Sequence, residues 1–249
     1  MAQVRSYTIQ TFDELKSTNL YALDNIGQLD NATVIVAKSQ SHGRGRLQRN
    51  WFSESRENIY LSIVLKPSNS LSNNLPLSNL TQYMAVVVAK LLETYTVSSQ
   101  IKWPNDILIN NKKIAGILCE TKVRGTHLEG VVLGIGLNLK LGPDDLKKID
   151  QPATALNLEL GANVDKNIFV SKMLDLFFER YDVFLEKGFL EIRDDYIQRC
   201  NFIGKVIKVR NLNEIVEGYA LDVNNNGALV FKNSRTNKVE QLFTGDLLC

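Results

Sequence analysis

The chain predicts an α+β fold: a mixed β-sheet with helices packed on it, followed by a small C-terminal β-barrel. Three observations carry that expectation. Apolar segments of strand length recur at residues 32–38, 58–66 and 130–139. Residues 80–95 and 167–186 instead repeat their apolar side chains at helical spacing. After residue 199 the pattern changes to short strands at 205–210, 215–222, 228–232 and 238–242, separated by turn-rich segments such as Asn224-Asn225-Asn226-Gly227.

In order, residues 7–11 read as a short first strand. Ser17, Thr18 and Asn19 precede Leu20, Leu23 and Ile26, a helical spacing that Gly27 would stop. Small polar residues at a helix start satisfy orphan backbone N–H groups, so capping alone accounts for these three. The strand at 32–38 delivers Gln40, whose amide both donates and accepts. A loop follows in which Gly43 and Gly45 alternate with Arg44 and Arg46, with Arg49 and Trp51 beyond. Glycine lets backbone approach a ligand, and arginine's fork of donors suits carboxylate or phosphate. An anion site is one account of this loop; a solvated basic loop or a nucleic-acid contact is the other, and spacing alone does not separate them. His42 is expected to face solvent, neither catalytic nor a metal ligand.

Residues 67–76, rich in Ser, Asn and Pro, read as a loop. Pro104 biases Trp103 towards extended backbone, which makes Lys102 a preset cation, while Asn105 and Asp106 suit a turn. Residues 106–109, Asn110-Asn111 and residues 113–120 form an expected hairpin. Ala115 and Gly116 keep its second strand slim, for packing against another strand or a ligand. Gly134 and Gly136, two apart, fall on one face, smooth enough for a flat ring or an apolar chain. Asn138 ends that strand. Residues 142–162 look irregular and polar. The helix at 167–186 has Ile168, Phe169, Met173, Leu176, Phe177, Phe184 and Leu185 on its apolar side, and residues 189–199 suggest a second helix.

Composition narrows the function classes. Apolar content of 44% and charged content of 22% are ordinary for a soluble globular chain of 249 residues. With Lys plus Arg at 29 and Asp plus Glu at 27, the net charge of +2 supports neither a nucleic-acid nor a membrane partner. Cys119, Cys200 and Cys249 have no metal or disulfide spacing and read as free thiols in a reducing compartment. No signal peptide or span-length apolar run is present in these residues, so the expected location is cytoplasmic.

Gly43-Arg44-Gly45-Arg46-Leu47-Gln48-Arg49-Asn50-Trp51 resembles the Gly-Arg-Gly-Arg-x-x-Arg-x-Trp signature of biotin–protein ligases. Lys102-Trp103-Pro104-Asn105-Asp106 resembles the family's Lys-Trp-Pro-Asn-Asp, and Lys113-Ile114-Ala115-Gly116-Ile117-Leu118 its Lys-x-(Ala/Gly)-Gly-Ile-Leu. Ser17-Thr18-Asn19 and Gly134-Ile135-Gly136-Leu137-Asn138 fit in the same order. The resemblance implies a class II synthetase-like biotin/lipoate ligase catalytic domain over residues 1–199 and an SH3-like barrel over 200–249. It implies ATP and biotin as substrates, Mg²⁺, and a biotin carboxyl carrier protein that offers an acceptor lysine. It places Ser17, Thr18, Asn19, Gln40, Gly43, Arg44, Gly45, Arg46, Lys102, Gly116 and Gly136 around biotin. Arg46, Arg49, Trp51, Asn105, Asp106 and Asn138 fall near ATP, as does the 142–162 stretch near adenine.

The chemistry agrees with the residue types. A carboxylate driven onto the α-phosphate of ATP brings two anions together, and cations must lie between them. Arg44, Arg46 and Lys102 are the candidates, with Arg46 and Lys102 expected to be catalytic. No metal ligands are assigned, and Asp106 is the only candidate base for the transfer step. The loop from Gly43 to Trp51 is expected to order on adenylate binding and shield the mixed anhydride from water. Three alternatives stand beside this. A lipoyl or octanoyl ligase of the same superfamily would lack the paired arginine-loop and Lys-Trp-Pro-Asn-Asp motifs. A repressor would need an N-terminal DNA-binding domain, for which motifs starting at Ser17 leave no room. A single-strand nucleic-acid module would need aromatic platforms that the C-terminal segment does not supply. No DNA and no membrane partner is expected; a homodimer is left open.

Overall fold

A computed structural model describes residues 6–66, 77–211 and 214–248. The loop expected at 67–76 and Cys249 lie outside them. Seven strands form the main sheet: β1 (Thr8–Leu15), β2 (Thr33–Gln40), β3 (Ile59–Leu65), β4 (Gln100–Lys102), β5 (Asp106–Ile109), β6 (Lys112–Arg124) and β7 (His127–Leu137), in the order β1-β2-β3-β7-β6-β5-β4. β1 and β2 pair in parallel and the other neighbours are antiparallel, so the sheet is mixed.

β3 is buried along its whole length, which explains why its alternating apolar residues are interrupted by Tyr60 and Val64 and not by charges. Ile59, Leu61, Ile63, Leu133, Ile135 and Leu137 meet helices α2 (Leu77–Glu93) and α5 (Lys166–Lys187) in the main core. The opposite face is covered at one end only. There α1 (Thr18–Asp24) sets Ala22, with Ile26 and Leu29 beyond it, on Ile35, Val64 and Val132. The uncovered remainder of that face becomes the floor of a cleft.

Several elements differ from expectation for local reasons. β1 runs to Leu15, not to residue 11, because its register with β2 continues to the Leu15–Gln40 pair. It is an exposed edge, so no apolar alternation marks its length. α1 stops at Asp24 and is capped by Asn25, leaving Gly27 beyond it. The irregular 142–162 stretch contains two five-residue helices, α3 (Pro143–Lys147) and α4 (Leu156–Leu160), too short for a period to show. Ile168 is exposed, and Val170, Leu174, Phe178 and Tyr181 join the buried side of α5. The second helix is a 3-10 turn (Gly188–Glu191) followed by α6 (Arg193–Ile197).

The C-terminal strands are β8 (Val206–Asn211), β9 (Glu214–Val223), β10 (Leu229–Asn233), β11 (Val239–Leu242) and an unforeseen β12 (Asp246–Leu248), in the antiparallel order β11-β10-β9-β8-β12. Val209, Ala220, Leu229, Phe231 and Leu247 belong to the same apolar cluster as the main core. Buried Trp103 and Gln82 both donate to the Gly227 carbonyl, at 3.1 and 2.8 Å. Apolar packing and these hydrogen bonds dock the small sheet on the main body, with Gly245, just before its last strand, close to Trp103.

Candidate functional site

The uncovered sheet face forms a cleft of about 830 Å³. Two cross-strand rows make its floor: Gly134 and Leu118, flanked by buried Ser62, and next to them Gly136, Gly116 and Asp106, flanked by buried Tyr60. Glycine is required at the centre. A Cβ on Gly134 would stand 2.1 Å from Asn19 Oδ1, and one on Gly136 would stand 2.4 Å from Trp51 Cε2. The predicted smooth face thus exists, with the Trp51 indole lying on it.

The start of α1 builds one wall. Ser17 caps the helix, accepting from the Leu20 N–H. The Thr18 N–H and hydroxyl donate to Gln40 Oε1 at 2.8 and 3.3 Å, and Gln40 Nε2 donates to Ser53 Oγ at 2.9 Å. Ser62 Oγ lies 2.8 Å from Thr18 Oγ1 and 2.6 Å from Asn19 Oδ1. Asn19 Nδ2 donates to the Leu118 carbonyl and, at 2.9 Å, to Glu120, whose other oxygen holds Arg44 at 2.8 Å. Capping therefore accounts for Ser17 but not for the buried chain of donors and acceptors from Asn19 to Ser53. That chain presents amide and hydroxyl groups of both polarities to the cleft.

The arginine loop closes over the floor. It folds back on itself through Trp51 N–H to Gly43 O (3.0 Å) and Gly45 N–H to Arg49 O (2.7 Å). Gly43 has Trp51 O and Ser53 Oγ within 2.5 Å of where a Cβ would sit, so no side chain fits there. The Arg46 guanidinium donates to Asn105 Oδ1, Gly245 O, Asp246 Oδ1 and Thr244 Oγ1, at 3.0 to 3.3 Å. Arg49 donates to the other Asp246 oxygen at 2.6 Å. Buried Asn105 also donates to the Ile117 carbonyl, which fixes its orientation. Trp51 Nε1 is buried with no acceptor among the described residues, and the Lys113 ammonium stands 5.2 Å from the Trp51 ring. Asn138 donates to the Thr154 carbonyl, tying the end of β7 to the segment before α4. His42 is exposed, as expected.

The lysine placement needs correction. Lys102 does not line the cleft. It pairs with Asp106 in register, at the outer end of the Gly136–Gly116–Asp106 row. Two strand spacings, roughly 10 Å, separate it from Gly116. Lys113, and not Lys102, lines the cleft. It is largely buried, it pairs with Asp106 at 2.8 Å, and its chain crosses Gly116 with Nζ 3.3 Å from that residue's Cβ position. Ser53, Ser62, Glu120 and Asp246 were also missed. Lys113 did carry a signal, as the first residue of its own motif; the other four carry none. Burial pushes the Cys119 thiol up to about 12, which disfavours the thiolate there. Among the described residues no three His, Cys, Asp or Glu side chains converge as a metal site.

Residues 11–138 match the Biotin/lipoate A/B protein ligase family, and the chain belongs to that family. Among individual relatives, it is 30% identical over 246 residues to the bifunctional ligase/repressor BirA of Bacillus subtilis, covering 98% of this chain and 71% of that protein. It is 30% identical over 219 residues to the biotin–[acetyl-CoA-carboxylase] ligase of Paracoccus denitrificans, covering 87% and 90%. In fold it superposes on the biotin protein ligase from Aquifex aeolicus in complex with biotin and ATP, with a TM-score of 0.80 over 97% of both chains at 22% identity.

Proposed function

We propose that this protein is an ATP-dependent biotin–protein ligase. Biotin's carboxylate attacks the α-phosphorus of ATP, the bond to the β-phosphate oxygen breaks, and pyrophosphate leaves. The amine of a carrier-protein lysine then attacks the acyl carbon of biotinyl-AMP, AMP leaves, and the amine loses its proton. The observation that carries this reading is the convergence, on one glycine floor, of a mixed donor–acceptor wall with five cations, Arg44, Arg46, Arg49, Lys113 and Lys148.

The ureido ring of biotin has two N–H donors and one carbonyl acceptor, and the Thr18–Asn19–Gln40 wall offers partners for both. The glycine row receives the ring and apolar chain once the indole lifts. Arg46 reaches Asn105 and Lys113 reaches Asp106, so both cations stand at one end of the floor, positioned to screen the carboxylate from the phosphate. Asp106 is ion-paired to Lys113, so it acts as that lysine's partner and not as a free base. Mg²⁺ would enter as the companion of the ATP phosphates, the usual way this ion is held in nucleotide sites. The acceptor is a carboxylase's biotin carrier domain, the reaction is cytoplasmic, and the near-neutral charge lends no support to a DNA partner. Residues 1–199 are the catalytic unit and 200–249 an SH3-like unit.

Pyrophosphate release, measured with biotin or lipoate as the acid, tests the reading. Release with biotin and none with lipoate is expected; release with lipoate alone assigns the protein to the other acid.

A further inference from the structure

We propose that Asp246, in the last strand of the C-terminal sheet, is a placeholder anion that competes with the nucleotide's phosphate for Arg46 and Arg49. The inference rests on the ligase reading of the cleft. Asp246 is 13% exposed, and its two oxygens are divided between the two guanidiniums at 3.2 and 2.6 Å. Arg46 spends further donors on Gly245 O and Thr244 Oγ1, so residues 244–246 hold the loop as one unit. These two arginines are among the cations the phosphate needs. Two guanidiniums against one carboxylate leave a net positive charge, which attracts an anion without releasing Asp246 first. A phosphate brings more charge and more acceptor oxygens than a carboxylate, so it takes over both arginines. Nucleotide binding thus breaks the loop's tie to the C-terminal sheet. Its apparent affinity is lowered by the fraction of molecules in which Asp246 holds the arginines.

The test uses full-length protein and two variants, Asp246→Asn and Asp246→Glu, assayed for biotin-dependent pyrophosphate release and for ATP binding by calorimetry. Asp246→Asn removes the competing charge. Its KM for ATP falls roughly tenfold, as expected when a competitor for the binding state is lost. A merely structural defect would not improve binding. Asp246→Glu keeps the charge and the wild-type KM. An unchanged or raised KM in Asp246→Asn overturns the proposal. Hydrogen exchange of the wild-type protein covers the case in which the asparagine variant does not fold: residues 243–248 lose protection when ATP is added, and protection that holds or rises overturns the proposal. If calorimetry detects no ATP binding at all, the ligase reading falls as well; ATP binding without these changes sinks only the role of Asp246.

Discussion

Gly136→Ala tests the floor of the cleft. The new methyl would lie 2.4 Å from Trp51 Cε2, 2.5 Å from Nε1 and 2.8 Å from Cζ2. Ordinary carbon contacts begin at about 3.5 Å, so the indole must rise by roughly 1 Å. Overpacking of this kind costs about 1–3 kcal/mol, or roughly 2–4 °C of Tm per kcal/mol in a chain of this size. The structure also says which neighbour causes the cost. In a Trp51→Ala background the methyl meets no indole, so the two substitutions are non-additive by about 0.5 kcal/mol or more in a double-mutant cycle. Urea unfolding of the four proteins measures this, and a biotin titration of the same set reads the floor directly. Gly136→Ala should weaken biotin in both backgrounds, because the ligand needs the same surface. Additive stabilities, or unchanged biotin affinity, would refute the placement of the indole and ring on one glycine row.

The two lysines separate cleanly. Lys113→Ala should lower adenylation about 10²–10³-fold, the loss seen when one charge-stabilising contact is removed, and Lys102→Ala by less than about tenfold; equal losses in pyrophosphate release would contradict the corrected placement. Ser62→Ala leaves Thr18 and Asn19 without their shared buried hydroxyl. It should cost about 1–3 kcal/mol in urea unfolding and weaken biotin. Burial pulls the Lys166 amine down to about 8 from its ordinary 10.5, opposed by the Glu57 charge and helped by those of Lys38 and Arg56. The folded chain then binds fewer protons than the unfolded chain between those values, so stability rises with pH across that window. Lys166→Met should raise Tm at pH 7, with a gain that shrinks as pH passes 8 towards 10.5; a gain that grows with pH would reverse the sign.

What could be read from the residues follows the range of the interactions. The β5–β6 hairpin announces itself in Asn110 and Asn111, which take φ of 51° and 61°, the left-handed pair a two-residue turn requires. Gly134 and Gly136 mark a bare face by strand alternation alone. The extent of β1 was hidden because a parallel edge strand facing water needs no apolar code. Lys102 and Lys113 each open a motif, and nothing local tells which one reaches the floor. Sheet order settles it, since β4 is the outermost strand and β6 a central one. Asp246 stands 200 positions from Arg46, so their pairing leaves no local trace.

Arg46 and Lys113 serve the joining of biotin first to AMP and then to a lysine. Intact mass spectrometry of a biotin carrier domain, incubated with the protein, ATP, Mg²⁺ and biotin, tests it most directly. The account predicts a gain of one biotinyl group that disappears when the acceptor lysine is changed, and that is lost with Arg46→Ala and Lys113→Ala. An unmodified carrier with wild-type protein, or full modification by both variants, would contradict it.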